Sequence, residues 1–439
     1  MPFLLEYKDM SKLEQEIKEN VRWIESVGGE EPDILVDDLP SPELTIQGKK
    51  IISFCSNNYF GLNKHPDVLN AAVTALERYG IGTCESRRLG GNLQLLEDLE
   101  KKIAGFKSKE NAVIFPTGLL TNMAVIPTLT DTGFYRKLFW KSIELNQEIP
   151  VILGDELNHR SIQLGIKLSH AEFYKYKHSD MDDLERLLKE FRERKVLIIT
   201  DAVFSMDGDL APLNRIVELA GNYHAMIMID DAHGTGIYGA TGRGTAEHFG
   251  VSEGIDVHMG TFSKAFGGLG GFVAVNDEIA KAIKYTSSGY YFTSSLPPEQ
   301  AAGMITSIDI LEKTPILRAR LWHNVEEITI GLAKIGFDIP KRWSHIIPIF
   351  IRDDEKAREL EKFLLARGIL CSSVHAPAIR PGTARLRITV NAIHTQQHID
   401  LLLRCLYEAV KTMDIPTQPM SRDEIFQEFG VFASILSKS

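Results

Sequence analysis

The chain has 439 residues, 44% of them hydrophobic and 25% charged, the balance of a globular protein with length enough for two domains or more. Its net charge of −10 argues against nucleic acid as a partner, because phosphate binding needs a clustered basic face. No apolar run is long enough to span a bilayer, Met1-Pro2-Phe3-Leu4-Leu5-Glu6 lacks the basic start of a signal peptide, and Cys55, Cys84, Cys371 and Cys405 form no Cys-x-x-Cys pair, so a cytoplasmic protein without integral membrane association, disulfide framework or zinc site is expected.

Charged residues with apolar positions at helical spacing over 8–26 predict an N-terminal helix. Leu44 to Phe54 reads as a hairpin across Gln47-Gly48, and Pro66 to Tyr79 and Leu93 to Phe106 read as helices. Strand and helix signals then alternate. The predicted strands are Ala112–Phe115, Val151–Leu153, Val196–Thr200, Met226–Ile229, Val257–Gly260 and Phe272–Val275, with helices at Met181–Glu193 and Leu213–Tyr223. Short apolar strands alternating with helices predict an α/β fold whose mostly parallel sheet is covered on both faces.

The pattern changes near Leu296-Pro297-Pro298. One long helical stretch to Leu332 follows, then strands near His345–Ile351 and Arg385–Val390 and helices over 354–367 and 395–412. This predicts a smaller C-terminal α+β domain. The chain is thereby divided into an arm (1–56), a large domain (57–296), a small domain (297–415) and a tail (416–439), with a short amphipathic helix within Asp423–Leu436.

Chemistry concentrates where the predicted strands end, the edge at which open parallel sheets bind ligands. The segment Gly260-Thr261-Phe262-Ser263-Lys264-Ala265-Phe266-Gly267-Gly268 offers one lysine at such an end. Burial there lowers an amine's pKa toward the free base, the form that makes a Schiff base with an aldehyde. Other strands run into Asp201 and Ser205, into Asp230 and His233, and into His159. A carboxylate, two imidazoles, two hydroxyls and an amine thus converge. An aldehyde cofactor with a ring nitrogen and a phosphate would use each of them. Two other readings fit less well. Gly234-x-Gly236-x-x-Gly239 matches a dinucleotide fingerprint literally, but more breakers follow it and no amphipathic helix. Asp230, His233 and His159 lack a metal-ligand spacing, so no metal is expected.

In this combination of motifs the chain resembles the α-oxoamine synthases, which are fold-type I pyridoxal phosphate enzymes, over roughly residues 45 to 410. The resemblance implies a decarboxylative condensation of an amino acid with an acyl-CoA. It makes Lys264 the Schiff-base lysine, Asp230 the partner of the pyridine nitrogen, His233 the ligand of the phenolic oxygen and His159 the ring-stacking imidazole. Ser205 would lie near the phenolic oxygen, and Thr261 would bind phosphate together with the turn Thr117-Gly118-Leu119. Asn57 and Arg387 would hold the amino acid carboxylate, for which an arginine fork is suited. Thr293 would lend its hydroxyl to the phosphate of a neighbouring subunit, which implies a homodimer with shared sites.

Phe204 to Pro212 and Gly242 to Gly250 look most like 8-amino-7-oxononanoate synthases, which use alanine and a pimeloyl thioester. Glycine C-acetyltransferase and serine palmitoyltransferase are the alternatives, the latter favoured by Phe292 to Pro298. A silent partner subunit is the non-enzymatic reading, against which Lys264 itself counts. The sequence departs from the family at three places: Leu96 stands where a histidine is usual, Asp131–Pro150 is long and carries Phe134, Tyr135, Phe139 and Trp140, and the tail past Pro416 is extra.

Overall fold

The computed structural model describes residues 11–26, 34–38, 42–131, 148–376 and 378–429. Two strands, β1 (Glu43–Ile46) and β2 (Lys49–Ser53), form the expected hairpin. Next come β3 (Asn111–Phe115), β4 (Val151–Asp155), β5 (Glu172–Tyr176), β6 (Val196–Asp201), β7 (Met226–Asp230), β8 (Val257–Thr261) and β9 (Gly271–Val275). They make one seven-stranded sheet in the order β3-β9-β8-β7-β6-β4-β5, parallel except for β9, which runs antiparallel to both neighbours. Every residue of β4, β6, β8 and β9 is buried, as expected of strands covered on both faces.

The smaller C-terminal sheet has the order β10-β13-β12 and is antiparallel, with β10 at Ile346–Phe350, β12 at Ser372–Val374 and β13 at Arg385–Thr389. The two-residue strand β11 (Ile369–Leu370) instead joins β2 in parallel, so the N-terminal hairpin is tied to the C-terminal part of the chain. This is the fold-type I transferase architecture expected from the sequence, a mostly parallel central sheet between helices with a smaller C-terminal α+β part, whose sheet proves to be antiparallel.

One reading is corrected. The long helical stretch is two helices, Pro298–Lys313 and Ile316–Ile335, because Pro315 cannot continue the first. Strand β5 and the helices Arg160–Leu168 and Asp277–Thr286 carry no expectation from the sequence. The first is a partly exposed edge strand of mixed polarity, and each helix is short. The tail helix is observed at Arg422–Phe429, and the N-terminal helix at Lys12–Ser26. The aromatic residues of the long segment, Phe134 to Trp140, lie outside the described residues. Leu96 is fully buried and packs in the largest apolar cluster, a position that carries no polar chemistry.

The dinucleotide-like glycines serve packing. A Cβ on Gly234 would fall 2.1 Å from Oδ1 of Asp231, and one on Gly244 would fall 1.8 Å from Oδ2 of the same residue. That carboxylate also accepts hydrogen bonds from Thr235, Thr245 and the buried Lys107. The helix that follows, Thr245–His248, is a single turn.

Candidate active site

The sheet register sets the site. Asp201 and Asp230 are Cα partners at the last positions of β6 and β7, and Asp230 is paired in turn with Met259 of β8. Five residues beyond Met259, Lys264 follows the end of the same strand. At this carboxyl edge lies a cavity of about 260 Å³. Its walls include Thr117, Gly118 and Leu119 at one helix start, and His159, Asp201, Ser205, Asp230, His233, Thr261 and Lys264 from the strand ends. Nine of the residues singled out in the sequence therefore share one cavity with Asp201.

Burial dominates the electrostatics. It lowers the Lys264 amine to about 8, against the opposing pull of Asp230 and Asp201. Burial also lowers the His159 and His233 imidazoles, His233 well below its ordinary range, so both are neutral at pH 7. Asp201 is raised well above the usual carboxylate range by burial and then by its neighbour Asp230. Asp230 receives two donors: Nδ2 of Asn122 on Oδ2 at 2.8 Å, and the backbone N–H of Ala232 on Oδ1 at 3.1 Å.

The helix Gly118–Thr130 starts at the cavity wall. Thr117 caps it, accepting the N–H of Leu120 at 3.1 Å, while the amides of Gly118 and Leu119 in the first turn have no intrahelical acceptor. A Cβ on Gly118 would come within 3.3 Å of Oγ1 of Thr261 and Cε of Met259, so a side chain there would crowd the strand end. Such a helix start suits an anion. Thr261 sits opposite; its Oγ1 donates to the carbonyl of Gly270 at 2.8 Å, so across the 2.8 Å contact with Ser263 the serine hydroxyl is the donor. These groups fit a cofactor that has an aldehyde, a basic ring nitrogen and a phosphate: an amine of lowered pKa, a carboxylate and an anion cradle line one cavity.

His159 is held by its neighbours. Its backbone N–H donates to Oδ2 of Asp201 at 2.6 Å, and its Nδ1 lies 2.7 Å from Oγ of Ser161. Asn122 donates to that same Oγ at 2.8 Å, so one amide links the histidine's partner to Asp230. Asn122, Ser161, Asp201 and Ser263 were not singled out as site residues from the sequence. Asn122 left one signal, an amide side chain in a helical run whose other polar residues are threonines.

Asn57, Arg387 and Thr293 are not among the residues lining the cavity. Arg387 is buried on β13 and reaches toward the rim, donating from Nε to the carbonyl of Ser205 at 2.6 Å, from Nη1 to Thr389 at 2.9 Å and from Nη2 to Asn57 at 3.4 Å. Thr293 is half-buried beyond the short helix Ser288–Tyr291, away from the cavity of its own chain.

Comparison with known proteins matches residues 49–406 to the family described as aminotransferase class I and II. An 8-amino-7-oxononanoate synthase of Thermoanaerobacter pseudethanolicus is 38% identical over 401 residues, covering 91% of this chain and 98% of that protein. A serine palmitoyltransferase of S. paucimobilis, solved with a bound PLP–myriocin aldimine, superposes with a TM-score of 0.84 at 31% identity, over 92% of this chain and 100% of the other. The Sphingomonas wittichii serine palmitoyltransferase gives a TM-score of 0.84 at 32% identity, over 93% and 100% of the two chains.

Proposed function

The chain belongs to the aminotransferase class I and II family and, within it, to the α-oxoamine synthases, and we propose that it condenses a small amino acid with an acyl-CoA or related acyl thioester, releasing carbon dioxide and the free thiol and leaving an α-amino ketone. Its cofactor is pyridoxal phosphate. The observation that carries the reading is the buried amine of Lys264, lowered to about 8, in one cavity with Asp230 and the helix start at Gly118.

When bound, the cofactor supplies an aldehyde that takes the substrate amino group and a ring that accepts electrons as the α-carbon loses its proton. Lys264, as a free amine whose pKa burial lowers to about 8, would remove that α-proton. Asp230 holds a proton on the ring nitrogen, and Asn122 and the Ala232 amide hold Asp230 in place. His159 would hold the ring, and His233, with Ser205, would serve its phenolic oxygen. The amides of Gly118 and Leu119, with Thr117 and Ser263, would receive the phosphate, and Thr261 would join them by turning its hydroxyl from the Gly270 carbonyl. Arg387 and Asn57 hold the amino acid carboxylate, which requires Arg387 to turn from its contact with the Ser205 carbonyl. As the thioester is attacked, His159 serves the developing oxyanion.

The same reading makes the enzyme a cytoplasmic homodimer, with Thr293 serving the partner's phosphate. Four free cysteines fit a reducing compartment. Support for the dimer is the exposed apolar surface around Thr293. Phe292 is 78% exposed and Leu89 72%, and the bridge between Ser86 and Ser294 joins their two segments.

The similarity to 8-amino-7-oxononanoate synthases favours alanine and a pimeloyl thioester as the substrates, while the structural likeness to serine palmitoyltransferases supports serine and a long acyl chain as the second reading. Assays of carbon dioxide release by the purified holoenzyme, across alanine, serine and glycine and across acyl-CoA chain lengths, separate them. Release that needs both an amino acid and an acyl thioester is expected. Turnover of the amino acid alone, or transamination without release, would contradict the proposal.

A further inference from the structure

Tyr59 belongs to the motif Ser56-Asn57-Asn58-Tyr59-Phe60-Gly61-Leu62, from which only Asn57 has so far received a role. The tyrosine is fully buried. Its ring meets His345 edge-on at 4.7 Å and His233 at 6.4 Å. Its hydroxyl lies 2.6 Å from Nδ1 of His233 and 3.4 Å from Oδ1 of Asn57.

We propose that Tyr59 is a positioning residue that fixes the tautomer of His233: its hydroxyl donates to Nδ1, so the ring proton is kept on Nε2 and the imidazole presents an N–H donor to the cavity. The geometry supports this direction. A phenol has one proton, and its two acceptors here lie at 2.6 and 3.4 Å, the second near the limit of a hydrogen bond. Oδ1 of Asn57 already faces Nη2 of Arg387. With Nδ1 used as an acceptor, a neutral imidazole must carry its proton on Nε2.

Burial reinforces the assignment from both sides, holding the Tyr59 phenol protonated by raising its pKa and the His233 ring neutral by lowering it. Arg387, Lys264 and the rings of His345 and His159 also face His233, and all four disfavour a second proton on it. Tyr59 also joins two subsites. Its hydroxyl bonds His233 and lies 3.4 Å from Oδ1 of Asn57, the atom that accepts from Arg387. The consequence for the cofactor rests on the reading of His233 as the donor to its phenolic oxygen, whereas the tautomer itself is a property of the protein.

The test is a two-bond nitrogen–proton correlation spectrum of the holoenzyme labelled with 15N at histidine. The chain has 13 histidines, and His233 is identified by the signal lost in His233→Asn. In the wild type, Nε2 of His233 is expected to be protonated and Nδ1 to be a bare acceptor. In Tyr59→Phe the two nitrogen shifts are expected to move toward each other as the tautomers mix. A protonated Nδ1 in the wild type, which needs no variant to observe, would overturn the proposal, as would an unchanged pattern in a folded Tyr59→Phe. The pH titration of the bound cofactor's visible band separates the two ideas. A shift in that titration in Tyr59→Phe is expected. If the tautomer mixes and the band does not move, the proposal stands and the phenolic-oxygen reading of His233 falls.

Discussion

Asp230 ends a strand whose four preceding residues, Met226 to Ile229, are all apolar, and so its carboxylate was visible in the sequence as a break in a hydrophobic run. Asp201 ends β6 in a similar way, yet it was not singled out; His159 lies four residues beyond β4, and Lys264 lies three beyond β8. Asn122, Ser161, Ser263 and Tyr59 were harder to see as site residues, because their work is to bond other side chains across 39 to 174 residues of sequence or to face a cavity from a turn. One of these contacts bears on a test of Asp230. Asn122 donates to Asp230, and in Asp230→Asn an amide can still accept that bond but carries no charge to hold a ring proton. Exchange of the amino acid's α-proton with deuterated solvent, followed by NMR, is therefore expected to fall on the order of 100-fold to 1,000-fold. Cofactor affinity should fall less, since the phosphate groups are untouched. Exchange at the wild-type rate would place the ring nitrogen elsewhere.

Strand ends are useful only if the loops leaving them are held, and His178 does this for two of them. Its Nδ1 lies 3.1 Å from Asp155, the last residue of β4, and its Nε2 lies 2.8 Å from Asp209, in the loop that follows β6. The first loop delivers His159 and the second delivers Ser205. Phe204 meets the ring edge-on, the backbone N–H of His178 donates to Glu156, and Arg342 approaches Asp209 at 3.7 Å. The two carboxylates raise the His178 imidazole from 6.5 to about 10 despite partial burial. The folded pKa lies above the unfolded one, so the stabilisation is fully present below about pH 6.5 and is lost as pH rises through about 10. Denaturant unfolding of wild type and His178→Asn should show a gap in stability at pH 7 that closes toward pH 10. A gap that does not change with pH would mean that the ion pairs are not its source. This brace joins a residue of the unanticipated β5–helix connection to two legible strands, and only the register that seats β5 beside β4 puts it there.

At the scale of the molecule, the alternation of apolar strands and helices revealed the mostly parallel sheet, and the change of pattern near Pro297 revealed a second, α+β region but not the antiparallel pairing of its strands. The strand order, the reversal of β9 and the parallel pairing of β11 with β2 were not legible, since they depend on contacts between segments far apart in the chain. One such pairing joins Ile369 to Ile52. What that order achieves is to seat β7 between β6 and β8, so that Asp230 lies beside Asp201 and beside the strand that leads to Lys264. The central claim is that this arrangement makes Lys264 the residue that bonds the cofactor aldehyde. Reduction of the reconstituted protein with borohydride, followed by peptide mapping, tests it most directly. The account predicts pyridoxal phosphate fixed to Lys264, and no fixed label in Lys264→Ala even though that variant still binds the cofactor; a label on another lysine, or none on a protein saturated with cofactor, would contradict it.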